Sequence, residues 1–496
     1  MGYKGLLGIS TAMALAGCAV NPEPLAPSDI AATADRNFQT VDANQEPVAG
    51  PIDMYEAMAR ALKYNLDYKV EMMEEALKGR ELDVARYDML PQLVASAGYA
   101  SRNNYSGSSS LSLLSGRQSL EPSTSAEKNI FSADLGLSWD VLDFGLSYVR
   151  AKQKADEYLI SQERRRKVAN RIIEDVRTSY WRAVSAERLL TKLQELGGAV
   201  GTTLTNSERL AERRLSAPLT ALTYQRELVD IQANIRQLQR ELVISKAQLA
   251  ALMNLKPGTE YSLVLPDRAQ ALPAINLSGE EMMLTALRNR AELREVSYRQ
   301  RINSKELDAA LLRSLPSIRG VIGVNYDSND FLYNNDWLNM GARASWNVLN
   351  LFKYPAQKKA VKAQDELLRQ RELALTMAVI TQVNVSRARF GHLKEELDTA
   401  GQQYRVQDKI MYQIRAGNRA GAMSQQTLLR EEMNTLVSEV KYDIAFAAAQ
   451  NAYANLFGSM GIDDFGPDIS GKEDVATLAN SLKQLWATRE TALKVD

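Results

Sequence analysis

Four stretches of the chain alternate apolar and polar residues with the two-residue period of a strand that has one wet face. After Leu315-Pro316, the residues Ile318, Gly320, Ile322, Val324 and Tyr326 share one parity, and Ser317, Arg319, Gly323, Asn325 and Asp327 take the other. The next stretch sets Leu338, Met340, Ala342, Ala344, Trp346 and Val348 against Asn339, Gly341, Arg343, Ser345 and Asn347. Phe131, Ala133, Leu135, Leu137, Trp139 and Val141 likewise face away from Ser132, Asp134, Gly136, Ser138 and Asp140. Pro91 to Tyr105 is the weakest of the four, because Val94 interrupts its polar parity. Each run is about ten to twelve residues, close to what a tilted transmembrane strand needs.

Almost everything else reads as helix. Between Ser147 and about Arg214 there is no proline, and Val168, Ile172, Val176, Tyr180 and Val184 recur at helical spacing. Roughly 68 residues of helix extend on the order of 100 Å. A turn through Ser216-Ala217-Pro218 precedes a returning helix from Leu219 to Met253. A second long helix is expected from about Ala356 to Arg415, with a turn at Gly417 to Gly421 and a return to Phe457. Helices this long, with charges alternating as in Arg236-Gln237-Leu238-Gln239-Arg240-Glu241, suggest coiled-coil packing. Shorter helices, about 53–88 and 280–313, lead into each strand pair.

These elements come twice. Glu81-Leu82-Asp83 with Leu90-Pro91 returns 225 positions later as Glu306-Leu307-Asp308 with Leu315-Pro316. Trp139-Asp140-Val141-Leu142-Asp143 returns 207 positions later as Trp346-Asn347-Val348-Leu349-Asn350. Arg226-Glu227 and Leu252-Met253-Asn254 match Arg430-Glu431 and Leu456-Phe457-Gly458 at a spacing of 204. The chain is a duplicated half-molecule whose second copy has lost residues mainly inside one loop.

The amino terminus changes the setting. Lys4, an apolar run from Gly5 to Leu15, and then Leu15-Ala16-Gly17-Cys18 describe an export signal too short to span a bilayer. Leu-Ala-Gly-Cys resembles the lipobox of bacterial lipoproteins, which makes Cys18, the one cysteine of the chain, the expected lipidation site. Ala19 rather than Asp follows it, which favours the outer membrane. Pro22, Pro24, Pro27, Pro47 and Pro51 mark an extended leader. Net charge is zero, with 60 cations against 60 anions, so there is no basic footprint for nucleic acid. No later stretch approaches eighteen uncharged apolar residues, so any membrane crossing falls to the strands. Four strands cannot close, and an open edge in lipid leaves backbone groups unpaired, so oligomerisation is required. Two copies supply eight strands, a barrel filled by its own side chains. Three supply twelve and leave room for water, which suits the inward parity with Gly136, Gly323 and Gly341.

Each half thus reads helix, Leu-Pro, strand, loop, strand, Trp-x-Val-Leu-Asp/Asn and long helical hairpin, ending in Leu-Met-Asn-Leu or Leu-Phe-Gly-Ser. This resembles the TolC-like outer-membrane efflux protein family, lipoprotein subgroup, over about residues 53–460. The resemblance implies an α plus transmembrane β-barrel fold: a homotrimer with a twelve-stranded barrel continued by a twelve-helix periplasmic tunnel. The expected divisions are 1–17 signal peptide, 18–52 lipidated linker, 53–90 helix, 91–143 β-hairpin, 144–253 helical hairpin and 254–278 equatorial linker. The second copy follows with 279–315 helix, 316–350 β-hairpin, 351–458 helical hairpin and 459–496 equatorial tail. By motif position the periplasmic mouth, where family members meet an adaptor protein, maps to Arg214, Leu215, Ser216, Gly421 and Ser424. Thr427 and Arg430 fall where some members place constricting aspartates, and Trp139, Trp346 and Tyr326 fall at the membrane interfaces. The usual glycine of the first turn is replaced by Ala217-Pro218.

Enzymatic chemistry lacks an inventory. The single histidine, His392, lies in a charged helical segment, the one thiol is assigned to lipid, and no metal spacing, phosphate loop or nucleophile motif occurs. Glu431 and Glu432 are helix neighbours that do not face one another. No cofactor or metal is expected beyond the lipid on Cys18. The expectation is a passive outer-membrane exit duct for small molecules, lipid-anchored in a Gram-negative envelope, working with a periplasmic adaptor and an inner-membrane pump. Two rivals stand beside it: an exit duct for type I protein secretion, and a periplasmic coiled-coil lipoprotein without a pore.

Overall fold

The computed structural model describes residues 23–41, 43, 45–119, 121–212, 218–266, 275, 277–462 and 473–492. All four alternating stretches are strands. β1 (Gln92–Ser101), β2 (Asn129–Asp140), β3 (Ser317–Asp327) and β4 (Asp336–Ser345) form one antiparallel sheet in that order. Leu93 stands opposite Leu137, Leu137 opposite Ile322 and Ile322 opposite Met340, so one apolar row crosses the whole sheet. Ala95, Leu135, Val324 and Leu338 make the next row. The opposite parity is mainly polar, with Val321 and Trp337 among the exceptions: Ser96 donates to Asp134 at 3.2 Å, and Arg319 pairs with Asp140 at 3.6 Å. Val94 lies on this polar side, opposite Gly136, and leaves the apolar rows intact. Among the described residues nothing covers the apolar face, and Leu93, Leu135, Leu137, Ile322, Val324, Leu338 and Met340 are all exposed.

The leader that its prolines marked as extended instead contains a 14-residue helix, α1 (Pro27–Thr40), because Pro27 falls in the first turn, where its missing N–H costs nothing. The lead segment expected as one helix is two, α2 (Met54–Tyr64) and α3 (Leu66–Tyr87). Asn65 breaks it: its ψ of 127° leaves helical space, and its side chain caps α3 by accepting the Tyr68 N–H at 3.2 Å. The break recurs 225 residues later at Arg290, ψ 129°, between α6 (Gly279–Asn289) and α7 (Ala291–Leu312). The duplication therefore preserves a bend that apolar spacing did not reveal.

The long helices are α4 (Val141–Glu212, 72 residues) and α8 (Leu349–Arg419, 71 residues), each returning through a 35-residue partner, α5 (Pro218–Leu252) and α9 (Gln425–Ser459). Both begin several residues earlier than apolar spacing indicated. The repeated Trp-Asp and Trp-Asn pairs explain this. Asp140 Oδ1 accepts the N–H groups of Leu142 and Asp143 at 2.9 and 3.2 Å, and Asn347 Oδ1 accepts that of Leu349 at 3.2 Å. The first motif is a strand end and a helix cap in one, whereas in the second the strand stops at Ser345, just before the motif.

Away from the sheet the helices lie side by side in the order α5, α4, α9, α8; nearer the sheet the order is α3, α4, α7, α8. Leu189, Leu193, Leu196 and Val200 of α4 pack between Leu228, Ile235 and Leu242 of α5 and Leu429, Met433 and Val440 of α9. One side of this layer is covered at mid-height by α2 and α10 (Val475–Ala492), which bury Ile173, Val176, Tyr180 and Val184 of α4. No described helix is long and apolar enough to cross a membrane.

Candidate functional site: two open edges and a helical turn

The sheet ends in unpaired strands β1 and β4. The helix layer ends in α3 and α5 on one side and α8 on the other. Connectivity puts these edges in register, because β1 leaves α3 and β4 enters α8. Each helical edge also carries an exposed apolar seam. On α3, Leu66, Val70, Met73, Leu77 and Val84 follow one another at steps of four, three, four and seven, the spacing of a coiled-coil seam. On α5, Leu222, Val229 and Val243 are separated by multiples of seven, and α8 exposes Leu373, Met377, Val406 and Ile410. Rows of large exposed apolar side chains along both edges are what an interface between copies would cover.

The second helical turn is built for tightness. Gly421 takes φ +72°, its N–H bonds Asn418 O at 3.0 Å, and the Ala422 N–H reaches back to Gly417 O at 2.9 Å. These two bonds are the Schellman stop of α8. Ser424 then starts α9 at once by accepting the Thr427 N–H at 3.1 Å, with the two hydroxyls 3.0 Å apart. Thr427 is thus engaged in the cap, a local role that motif alignment did not show. Arg430 is half exposed beside Glu431 at 3.7 Å. Gln426 donates to Glu227 at 2.7 Å and ties this turn to α5. Arg214, Leu215, Ser216 and Cys18 lie outside the described residues.

Higher on the same layer, two ion pairs join the hairpins: Arg188 with Asp443 at 3.0 Å, and Lys192 with Glu439 at 2.9 Å. Asp443 and Glu439 are buried, which sequence spacing gave no means of detecting. Burial pushes the Glu174 carboxyl up from its usual range and neighbouring Asp175 adds to this, against a hydrogen bond from Asn455 at 2.7 Å.

The aromatic residues sort into two levels. Trp139 packs edge-on against Phe144 at 5.6 Å, and the Trp346 Nε1–H donates to Ser314 O at 3.0 Å, both at the helical end of the sheet. Tyr326 meets Phe131 at 6.4 Å near the loop end, and Tyr99, opposite Phe131, joins them although the sequence reading had not singled it out. Six strand positions separate Tyr326 from Gly320, the partner of Trp139. At about 3.3 Å each, the two levels stand about 20 Å apart, close to the apolar band of an outer-membrane barrel.

The histidine and the paired carboxylates noted in the sequence make separate local contacts. His392 is exposed and 3.8 Å from Glu395, and no His/Cys/Asp/Glu group suited to a metal ion forms. Glu431 accepts from Gln407 at 2.9 Å while Glu432 lies 3.5 Å from Arg415, so the two carboxylates serve separate partners.

The fold is that of outer-membrane channels. It is similar to the CmeC outer membrane channel of Campylobacter jejuni, with a TM-score of 0.65 at 13% identity over 94% of this chain and 97% of that one. The open-state MtrE outer membrane channel of Neisseria gonorrhoeae matches with a TM-score of 0.62 at 18% identity, covering 82% and 88%. The outer membrane protein VceC of Vibrio cholerae matches at 0.60 and 12%, covering 82% and 96%. No curated protein matches the sequence. The family model described as outer membrane efflux protein matches residues 58–255, within the stretch over which the sequence resembles that family.

Proposed function

We propose that three copies of this chain form a passive outer-membrane channel, the exit duct of a tripartite export system that takes small molecules from an inner-membrane pump through a periplasmic adaptor. The observation that carries this reading is the coincidence of open edges. One heterologous contact, β1 with α3 and α5 of one copy against β4 and α8 of the next, pairs the free strands and covers the apolar helical seams together. A heterologous contact whose rotation closes makes a ring. Four strands per copy make twelve in a trimer, enough for an aqueous lumen, whereas two copies make a filled barrel. The full chain reconstituted in a planar bilayer should give discrete, ohmic conductance and migrate as a cross-linked trimer. A protein that inserts without conducting would return the chain to the pore-free lipoprotein reading.

Arg430 gives the mouth a measurable property. If three second turns converge there, the half-exposed guanidinium groups bring like charges into one constriction. Arg430→Ser should then raise cation preference, an effect that fades with salt across a wide ring and persists across a tight one. Unchanged selectivity at low and high salt would put Arg430 on the outer helix surface.

Cys18 is proposed to carry the lipid. Intact-mass analysis should show the mature chain beginning at Cys18 with acyl chains attached, and Cys18→Ala should remove them. Insertion should survive that change, since the apolar strand faces remain. A mature wild-type mass without lipid overturns the lipobox reading.

A further inference from the structure

The stripe of α4 that faces α5 and α9 changes character along its length. Leu189, Leu193, Leu196 and Val200 fill the seam below. Continued upward at the same spacing, the stripe reads Ser185, Arg182, Thr178 and Glu174. Polar floor residues replace the leucines, and a cleft of about 550 Å³ opens there between α5 and α9. Its walls stay apolar: Leu238, Leu242 and Ile244 on one side, Val440, Ile444 and Ala448 on the other. This volume lies in the range of small-molecule sites.

The polar groups lining the cleft are unevenly satisfied. Glu174 accepts from Asn455 at 2.7 Å and Glu241 from Gln237 at 3.1 Å. Arg182 and Arg389 form no salt bridge among the described residues, Arg389 acting on Glu174 only as a more distant charge. Asn451 Oδ1 is buried and accepts no hydrogen bond there. What the cleft offers a ligand is therefore apolar wall, two available guanidinium groups and one acceptor. With both carboxylates held by amide donors and both guanidinium groups without a salt bridge among the described residues, the cleft favours an anion.

We propose that this cleft binds a small amphipathic anion, a carboxylate or sulfonate on an apolar body, with Arg182 and Arg389 holding the charged group and Leu238, Leu242 and Val440 the body. Only the side of the wall it faces rests on the duct reading. The cleft is on the face of α4 turned away from α2 and α10, and in a closed ring that is the luminal face. A molecule passing along the duct would meet it without crossing the wall.

The test is a fluorescence titration of the full chain in lipid nanodiscs with anilinonaphthalene sulfonate, empty nanodiscs being subtracted. A saturable component is expected, displaced by decanoate and not by decyltrimethylammonium. Arg182→Gln with Arg389→Gln should weaken it about tenfold or more, the scale of charge-assisted hydrogen bonds. Ala448→Phe, which fills the cleft, should abolish it. Absence of a saturable component, equal displacement by the cation, or an arginine double variant with wild-type affinity overturns the site. Protein that conducts in bilayers without binding the probe overturns this site alone, whereas protein that binds without conducting overturns the duct reading and keeps the site.

Discussion

Met340→Lys is expected to remove most of the folded, membrane-inserted protein. Met340 is the last member of the apolar row Leu93, Leu137, Ile322 and Met340, near the middle of β4, and it is 74% exposed. If that face meets lipid, a lysine there costs about 2–4 kcal/mol per chain at the bilayer midplane. A ring of three carries the cost three times, so the protease-resistant outer-membrane fraction should fall at least about tenfold. Asn339→Lys, one position away on the polar parity, is the control and should leave that fraction close to wild type. Equal losses in the two variants would mean that the apolar face is covered by protein rather than lipid, and the barrel assignment would go with it.

Periodicity carried the sheet well because a strand's two faces sit in two different solvents, so each of β1 to β4 could be read without its neighbours. Val94 disturbed only the polar face, where a stray apolar residue costs little. The long helices were harder, since α4 has two buried faces. The recurring Val168, Ile172, Val176, Tyr180 and Val184 mark the side under α2 and α10. The seam toward α5 and α9 begins at Leu189 on another side and turns polar above, a change that has meaning only once its walls are in place. The breaks at Asn65 and Arg290 were missed because apolar spacing runs through both, although Asn65 is a good N-cap residue. At the mouth, alignment placed Thr427 and Arg430 in one constriction. The cap at Ser424 assigns Thr427 a local role, and Arg430 stands half exposed beside Glu431.

Arg188→Met is expected to cost about 3–5 kcal/mol, the second large effect, because it breaks a buried ion pair in the seam between the hairpins. Asp443 is 4% exposed and 3.0 Å from the Arg188 guanidinium, which also donates to the Pro266 carbonyl. Both side chains lie on the seam between α4 and α9, where the two hairpins of one chain touch. Losing the arginine therefore loosens one hairpin against the other. Arg188→Met combined with Asp443→Leu should recover most of the loss, since an apolar pair in a buried seam often matches the ion pair it replaces. Arg86→Met, at an exposed pair with Asp83, should cost no more than about 1 kcal/mol. Denaturation of the reconstituted protein, read at the helical signal, would order the three variants. If Arg188→Met unfolds no earlier than Arg86→Met, the contact between the hairpins is open to water in the assembled protein. The seam would then derive its strength from the leucines below it, Leu189 to Val200, and not from its charges.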